Sequence, residues 1–545
     1  MKLLQGIGAS GGIAEGPVYV IRKKQYEICR KQSAGYDEER GRFETARQLA
    51  MARLSGLYEM AVSRAGEESA QVFEIHRMML EDEEYLDCVQ EGLEQWSAEW
   101  AVDQAGKQIA DMFSQMDDDY MRARAADVED ITRQLLSFLS GGNGEDLGEF
   151  TPVSDCPVIL AAEDLTPSET VRLDKSRILA FLTAKGSANS HTAILARTMG
   201  IPAVAALGPE LLEVENGTRA AADGTTGTVC FSPDQETQAR FCEKIEEERA
   251  RKERLERLKG LPSVTRDGRE VRIYANIGGP EEAELAMEQD AEGIGLFRTE
   301  FLYLDSSDYP DEETQFRIYK SVVERMQGRR VIFRTLDIGA DKRADYFQLP
   351  AEENPALGIR AIRICLTRPA LFRTQLRALY RAGALGPIGI MFPMIASEWE
   401  LVEAAEHCKS VREELREEGI PFSDQAELGV MIETPAAVMI SRSLAKHVSF
   451  FSVGTNDLTQ YTLAMDRQNP EFGRFFDPHH PAVLEMIRIT AENARREGIR
   501  CGICGELAGD PALTELFLEY GVDELSVSPS KVLELREKVR SIIFD

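Results

Sequence analysis

The second half of the chain repeats one pattern, in which short apolar runs alternate with longer segments of helical periodicity. Eight such runs lie at residues 271–278, 293–300, 330–337, 387–394, 427–435, 450–457, 500–507 and 523–529. Buried strands separated by helices are typical of a (β/α)8 barrel. We therefore predict a C-terminal TIM barrel, with one extra excursion after its third strand, where the spacing to the next run is long.

The first half of the chain shows two other patterns. From Tyr36 to about Ser140 the spacing is helical and proline is almost absent, which predicts an α-helical bundle. After a glycine-rich linker at 141–148, short strands and turns alternate as far as residue 231, which predicts a compact α/β unit. The short strand PVYVI at 17–21, set among glycine-rich turns, is expected to complete this unit, so that the bundle becomes an insertion.

Charged segments add detail to this organisation. The stretch QETQARFCEKIEEERARKERLERLK predicts one amphipathic helix with few apolar anchors, which is typical of a helix that bridges two domains. Acidic bursts, EDEEYLD at 81–87 and MDDDY at 116–120, give the bundle a negative face. Such a face suits the docking of a basic protein, although it is also compatible with a simple solvated surface.

Composition narrows the class of protein. The 545 residues are 43% hydrophobic and 29% charged, as in soluble multidomain proteins. A formal charge of −30 disfavours nucleic acid as a partner, because phosphate backbones are repelled. We expect no membrane insertion and no signal peptide, since apolar runs of 18 residues are missing and the N-terminus is rich in glycine. The nine scattered cysteines indicate a cytoplasmic, reducing location.

Polar residues follow the predicted strands at their C-terminal ends, where TIM-barrel enzymes place their active sites. Burying so many charged groups without partners is costly, so packing alone does not explain them. Two acids and an amide suit Mg²⁺, and arginines offer planar forks to phosphate and carboxylate oxygens. The strand-end set comprises Asn276, Arg298, Arg334, Asp337, Glu433, Asn456, Asp457 and Cys504, and the following loops add Lys342 and Arg467, either of which is also consistent with a solvated charge. The set predicts a site for a small anion with phosphate and carboxylate groups.

Cys501 and Cys504 form a CxxC pair, which is neither a metal motif nor a redox motif in this context. A metal site would need a second pair, and a redox pair would need a thioredoxin-like setting. Cys504, which ends a strand beside Glu506, is better placed as an acid, since a thiol with an ordinary pKa near 8.5 can donate a proton to a carbanion. Cys501 is expected to be a core thiol.

His191 stands at the start of a short predicted helix, HTAILARTM. Ser190 is a suitable N-cap, and Gly200 followed by a proline provides the stop. Backbone N–H groups and the helix dipole favour an anion in this first turn. With Lys185 nearby, these features favour a phosphoryl carrier over a structural histidine.

The motifs DLTPSET, SHTAILAR, GIGLFRTEFLY, RTLDIGADK, EENPALGIRAIR, VMIETPAAV, FFSVGTNDLTQYTLAMDR and CGELAGD together carry a resemblance. From end to end, the chain resembles enzyme I of the bacterial phosphoenolpyruvate-dependent sugar phosphotransferase system, the phosphoenolpyruvate–protein phosphotransferases. The resemblance implies that the chain moves the phosphoryl group of phosphoenolpyruvate to its own histidine and then to a small histidine-containing phosphocarrier protein. Pyruvate is released, and sugar uptake begins.

The resemblance also implies a domain plan. Residues 1–22 and 146–232 would form a phosphohistidine swivel domain, and the inserted residues 23–145 a helical domain that binds the phosphocarrier protein. Residues 233–260 would form a linker helix that serves as the hinge. The barrel, residues 261–545, would bind phosphoenolpyruvate and Mg²⁺ and form a homodimer.

The same resemblance implies a role for each matched residue. His191 would accept the phosphoryl group, while Arg298 and Arg334 clamp the substrate. Glu433 and Asp457 would hold magnesium. Asn456 and Arg467 would contact the phosphate, and Cys504 would protonate the enolate of pyruvate.

The chain departs from the family pattern near two of these motifs. Ser187 and Asn189 replace glycine and threonine in the phosphohistidine loop, and Ala340 and Ala356 replace a glycine and a bulkier residue beside the barrel site. Two alternatives therefore stay open. One is a regulatory phosphorelay protein that feeds a specialised carrier. The other is a dikinase- or synthase-like enzyme, which the missing glycine-rich nucleotide loop disfavours.

Overall fold

The computed structural model describes most of the chain. The described residues are 1–545 except 23–27, 66, 115–118, 143–155, 167–168, 170–172, 174–176, 188–189, 305, 340–341, 343, 351, 468, 470–474 and 545. Most of the predicted linker at 141–148 falls outside them, as do Asn189 and Ala340. The chain divides into two compact units, Met1–Arg251 and Lys252–Asp545. In the described part of the chain, none of the helices is long and apolar enough to cross a membrane.

The first unit contains an eight-stranded mixed sheet with the order β1-β8-β7-β3-β4-β5-β6-β2. Its strands are β1 Lys2–Gln5, β2 Ile7–Ser10, β3 Ile13–Val20, β4 Val158–Ala162, β5 Ile178–Thr183, β6 Ala203–Ala205, β7 Arg219–Asp223 and β8 Thr228–Phe231. Small and branched apolar side chains, mostly alanine, leucine, valine and isoleucine, form two small cores. The N-terminus was predicted to hold one short strand, and this was wrong, because it forms three. Glycines that permit close backbone approach had been taken for turns.

In sequence, the helical bundle is inserted between β3 and β4, which are neighbouring strands of this sheet. β3 pairs with β4 in parallel, from Val18 opposite Ile159 to Val20 opposite Ala161. The bundle has its own apolar core, and its helices are α1 Tyr36–Ala65, α2 Glu67–Glu81, α3 Glu83–Leu93, α4 Ala98–Ser114 and α5 Asp119–Leu139. The Asp82 carboxylate caps α3 by accepting from the backbone N–H groups of Glu84 and Tyr85. The predicted insertion of a bundle into the α/β unit is thus present.

Among the described residues after the bundle, two longer helices follow. α6, His191–Met199, lies against the α/β sheet. α7, Gln235–Glu256, is the predicted charged helix, and Leu255 is its one buried residue. So little apolar burial means that most of α7 is held by polar contacts, such as Lys244 Nζ to Asp223 Oδ2 at 3.1 Å.

The second unit is a closed barrel of eight parallel strands, as predicted. Seven pairings join strands that are consecutive in sequence. The eighth pairing joins the last strand to the first and closes the barrel. The strands are β9 Arg272–Ile277, β10 Gly293–Arg298, β11 Arg330–Arg334, β12 Ile388–Phe392, β13 Glu427–Ile432, β14 Phe450–Val453, β15 Arg500–Ile503 and β16 Glu524–Val527. The strands are apolar nearly throughout because both of their faces are buried.

Helices surround the barrel and bury one face each against it. They are α8 Glu281–Glu288, α9 Phe301–Leu304, α10 Glu312–Arg325, α11 Ile362–Thr367, α12 Pro369–Ala382, α13 Glu398–Glu417, α14 Pro435–Met439, α15 Ser441–Leu444, α16 Thr455–Leu463, α17 Pro481–Glu497, α18 Thr514–Tyr520 and α19 Val532–Ser541. The long connection between β11 and α11 is the predicted excursion. Asp337, Lys342 and Arg360 from this connection meet at the C-terminal end of the barrel.

The N-terminal end of the barrel is closed by charged side chains. Arg330 lies inside, with its guanidinium 4.6 Å from the centre of the Phe450 ring and Nη1 3.4 Å from Oε2 of Glu524. Burial raises the pKa of Glu524 to about 7, although nearby arginines oppose the shift. This end therefore contributes to stability and carries a proton-sensitive group.

Candidate active site

The resemblance gives a role to eight residues, and seven of them meet at one place. A cavity of about 390 Å³ at the C-terminal end of the barrel is lined by Arg298, Arg334, Glu433, Asn456, Asp457, Arg467 and Cys504, together with Glu300 and Lys342. We call it the substrate cavity. The parallel strands place their C-terminal ends side by side, so residues as far apart in sequence as Arg298 and Cys504 line one cavity. The remaining residue, His191, lies in the other unit.

Arg334 is the most strongly held cation of the substrate cavity. It is 5% exposed, and its guanidinium contacts the carboxylates of Glu300 and of Asp337, the latter at 3.1 Å. Burial lowers the pKa of Arg334, but the charges of Glu300 and Asp337 outweigh it and keep the pKa above its usual value. Arg334 is thus a fixed cation whose orientation is set before any ligand binds.

The sequence did not identify all members of this ion network. Glu300 and Arg360 were quoted within motifs but given no role, although Glu300 ends the second apolar run. Arg360 is 3% exposed and donates to Asp337 at 2.9 Å, and Lys342 Nζ lies 2.7 Å from Glu300 and 3.1 Å from Asp337. Burial raises the pKa of Asp337, yet Arg334, Lys342 and Arg360 reverse the shift and hold its carboxyl ionised. Three cations around two acids leave net positive charge beside the cavity.

A buried chain of hydrogen bonds supports the strand that carries Arg334. The Thr299 hydroxyl donates to the Arg334 carbonyl at 2.9 Å, and Gln375 donates to Thr299 at 3.2 Å. The same Gln375 amide accepts from the Leu336 backbone N–H at 2.9 Å. Gln375 is 1% exposed, so these bonds are shielded from water and fix the Arg334 carbonyl and the backbone that follows it.

Glu433 and Asp457 form the acidic side of the cavity. Glu433 is 1% exposed, and while Oε1 accepts from the Met394 N–H at 2.7 Å, Oε2 is buried without a hydrogen-bond partner among the described residues. Burial, and then the charges of Asp457 and Asp337, raise the pKa of Glu433. A side chain at Gly454 would come within 2.9 Å of Oε2, so glycine keeps that oxygen accessible.

These features fit a divalent cation. A buried carboxylate oxygen without a donor, beside a second carboxylate, is stabilised once a cation binds. Within the described ranges, no group of three or more His, Cys, Asp or Glu side chains is arranged to hold a metal ion. Mg²⁺ commonly takes one or two carboxylates and completes its shell with substrate oxygens and water. The pair suits an ion that is bound together with an anionic substrate.

The other polar residues differ in how firmly they are held. Asn456 and Glu506 exchange two hydrogen bonds of 3.0 Å each, which fix the Asn456 amide at the cavity rim. Asn276 donates to the carbonyls of Cys504 and Ser526, so it ties strand ends together and does not line the substrate cavity. Arg298 and Arg467 are exposed and have no carboxylate partner in the described part of the chain. Their guanidinium groups are free to bind an anion.

Cys504 lies at the bottom of the cavity, at the boundary with the barrel core. It is 4% exposed and packs with apolar side chains such as Leu296, Met431 and Phe450. Burial raises the pKa of this thiol to about 11, above the ordinary value near 8.5. The thiol keeps its proton at neutral pH, as an acid must before it donates one. Cys501 is fully buried in the outer core, as expected.

His191 is the first residue of α6, as the sequence predicted. Ser190 caps the helix by accepting from the Ala193 N–H at 3.4 Å, and Gly200 ends it in the left-handed conformation. The imidazole itself lies outside the described side chains. Lys185, which we expected to assist an anion there, has its Nζ 2.8 Å from Glu163 and is therefore already paired.

Comparison with known proteins defines the class. The profile of the PEP-utilising enzyme PEP-binding domain matches residues 252–544, that of the mobile domain matches residues 155–227, and that of the N-terminal region matches residues 5–124. The barrel and its cavity thus belong to a phosphoenolpyruvate-utilising enzyme.

Relatives along the whole chain define the family. Over 99% of its length, the chain is 39% identical to the phosphoenolpyruvate-protein phosphotransferase of Priestia megaterium, covering 94% of that protein. It is 40% identical to that of Geobacillus stearothermophilus and 39% identical to that of Bacillus subtilis, again over 99% of its length and covering 93% and 95% of those proteins. The chain belongs to the phosphoenolpyruvate–protein phosphotransferase family of enzymes.

Proposed function

We propose that the protein transfers the phosphoryl group of phosphoenolpyruvate to its own His191, and then to a histidine of a small phosphocarrier protein, as the first step of sugar uptake. The observation that carries the proposal is the substrate cavity, in which two free arginines, one fixed arginine, two acids, an amide and a thiol meet. Phosphoryl transfer requires mainly positioning and charge neutralisation, which these groups can supply.

The residues suit each step of the reaction. Arg298, Asn456 and Arg467 bind the phosphate, while Arg334 orients the carboxylate. Glu433 and Asp457 hold Mg²⁺, which when bound neutralises charge on the substrate. The neutral His191 imidazole attacks phosphorus, and the bond to the enol oxygen breaks. The enolate of pyruvate then takes a proton on carbon from the Cys504 thiol.

The cycle requires His191 to visit both the barrel and the carrier. We propose the domain plan given above, with a swivel domain at 1–22 and 146–232 that bears His191, and a hinge within 233–260. The sparse apolar burial of α7 supports a segment that can reorient. The barrel, residues 261–545, would hold the substrate.

We propose that the phosphocarrier protein docks on the helical domain, residues 23–145. An apolar cavity of about 400 Å³ lies between its helices, and Met78 at its edge is 66% exposed. Asp82 and Glu84 line the same cavity and belong to the predicted acidic burst. Flexible methionines beside acids suit a partner with an apolar and basic face. The burst at 116–120 falls largely outside the described residues.

We also propose that the protein is a cytoplasmic homodimer that associates through the barrel. Large apolar side chains on the barrel unit are exposed to water, and the surface of a partner subunit would bury them. Among them, Leu357 is 65%, Trp399 61% and Met439 73% exposed.

The proposal is tested with labelled phosphoenolpyruvate and Mg²⁺. We expect an acid-labile phosphate on the wild type and on His447→Gln, but not on His191→Ala. His447 is a suitable control because it is partly exposed and pairs with Glu398 at 2.8 Å, whereas His76 is fully buried between Asp127 and Asp130. Label that persists without His191 would refute the assignment.

Two further arms separate the alternatives. Labelling by ATP in place of phosphoenolpyruvate would indicate a dikinase-like enzyme. Transfer of the label to the general phosphocarrier of sugar uptake supports the proposal. If the label reaches His191 but not that carrier, the protein serves a specialised relay.

A further inference from the structure

A second, larger cavity adjoins the substrate cavity. It measures about 940 Å³ and is lined by residues at the ends of β14, β15 and β16 and by the segment 476–479. Arg298, Asn456, Arg467 and Cys504 line both cavities, whereas Arg334, Glu433 and Asp457 do not reach the second. We call it the His479 cavity. Without the two acids and the fixed arginine, it lacks the features that we assign to phosphoenolpyruvate and its metal.

Three cations without acidic partners face this cavity. The side chains of Arg298, Arg467 and Lys531 make no ion pair or hydrogen bond within the described ranges. Elsewhere on the barrel, half-buried arginines are paired with several acids, as Arg377 is with three glutamates and Arg488 with two. In a chain of net charge −30, potential partners are abundant, so three unpaired cations around one cavity indicate a site for an anion.

The acids of the His479 cavity are already hydrogen-bonded. Asp510 accepts from His479, whose Nε2 lies 2.7 Å from Oδ2, and also from the Ala512 N–H at 2.8 Å. Glu506 is held in its reciprocal pair with Asn456. These bonds hold the carboxylates in place, and they orient the imidazole of His479 as an additional polar group on the wall.

The remaining wall is apolar. Phe476, Pro478, Leu507, Pro511 and Val527 contribute to it. A cavity of this size and mixed lining suits a small organic molecule, with polar groups that fix one end and apolar groups that contact the other. Guanidinium and ammonium groups are the usual ligands of phosphate oxygens.

We propose that the His479 cavity is a second subsite that binds a small organic phosphate monoester, and that its occupancy hinders the binding of phosphoenolpyruvate. The hindrance follows because Arg298 and Arg467 cannot serve two anions at once. The inference rests on one part of the proposed function, namely that phosphoenolpyruvate binds in the substrate cavity. It gives the enzyme a means to respond to phosphorylated metabolites at the first step of sugar uptake.

The test uses glycerol 3-phosphate as the probe. Initial rates of protein phosphorylation from phosphoenolpyruvate are measured with increasing probe for wild type, Lys531→Gln, His479→Gln and the control Lys538→Gln, which alters a lysine near the end of α19 that does not line the cavity. We expect inhibition of wild type and control, and an inhibition constant raised about ten-fold in the other two variants, with the KM for phosphoenolpyruvate changed less than about two-fold. Lys531 is exposed and the His479 side chain is 50% exposed, so neither substitution threatens folding.

Three outcomes would overturn the inference. In the first, millimolar probe does not inhibit the wild type. In the second, the probe inhibits all four proteins equally. In the third, the KM for phosphoenolpyruvate rises in Lys531→Gln as much as the inhibition constant does. Calorimetric titration of the unphosphorylated wild type and Lys531→Gln with the same probe needs no turnover. Probe binding that Lys531→Gln loses would therefore support the subsite even if phosphoenolpyruvate failed to label the protein, and the two proposals can fail separately.

Discussion

The substitution Cys504→Ala tests the most specific chemical statement made about the substrate cavity. It removes the thiol and leaves the arginines and acids that bind the substrate. We expect substrate affinity to change little and pyruvate formation to slow by about 100- to 10,000-fold, the usual contribution of a positioned acid.

The magnitude of the pKa shift adds a second expectation. Burial raises the pKa of the Cys504 thiol from 9.0 to about 11, which favours the protonated form by ~3 kcal/mol. Roughly one thiol in ten thousand is then ionised at pH 7. The rate of pyruvate formation in the wild type should therefore lack a downward limb near pH 8.5 to 9, where an ordinary cysteine would lose its proton.

The assay couples pyruvate to lactate dehydrogenase, with the phosphocarrier in excess, across this pH range. Cys501→Ala is the matched control, since Cys501 lies on β15, the strand that Cys504 follows, but is buried in the outer core and does not line the cavity. The acid role is refuted if Cys504→Ala forms pyruvate at the wild-type rate. A limb near pH 8.5 that disappears in Cys504→Ala would refute the raised pKa.

Three further predictions concern stability and docking. Because burial raises the pKa of Glu524 from 4.5 to about 7, folding takes up a proton, and this residue should cost the wild type ~3 kcal/mol of stability as the pH rises from about 5 to 7. Denaturant unfolding should show a shallower pH slope for Glu524→Gln, and equal slopes would contradict the argument. Gln375→Leu leaves the Leu336 N–H without its acceptor and should cost roughly 1–3 kcal/mol in thermal unfolding and raise the KM for phosphoenolpyruvate, whereas an unchanged KM would show that the hydrogen-bond chain does not position Arg334. Met78→Asp should slow transfer to the phosphocarrier while self-phosphorylation stays normal, and a normal transfer rate would move the docking surface elsewhere.

The sequence predicted the barrel and its ligand-facing residues because both depend on periodicity. Parallel strands buried on two faces appear as continuous apolar runs, and the residues that end those runs share one rim. Arg298, Glu433 and Cys504 could therefore be assigned to one place without any structure. The same reasoning assigned His191 to a helix start from its cap and stop residues.

Other features depend on contacts that periodicity does not contain. Arg360 reaches the site from an irregular connection, so its pairing with Asp337 at 2.9 Å has no sequence signal beyond its motif. The pKa of Cys504 depends on how deeply the thiol is buried, which a strand-end position does not determine. His479 and Lys531 lie 52 residues apart (479 to 531) outside the quoted motifs, and only the fold brings them to one cavity.

The exposed cations at the barrel mouth also bear on how quickly anions arrive. At long range, an anionic metabolite experiences the field of a molecule with net charge −30 and is repelled. At physiological salt the Debye length is about 8 Å, so within that distance the nearby guanidinium and ammonium groups dominate and the force becomes attractive. Added salt would weaken the outer repulsion more than the inner attraction. Association with anions should then not slow as ionic strength rises, in contrast to an enzyme of positive net charge.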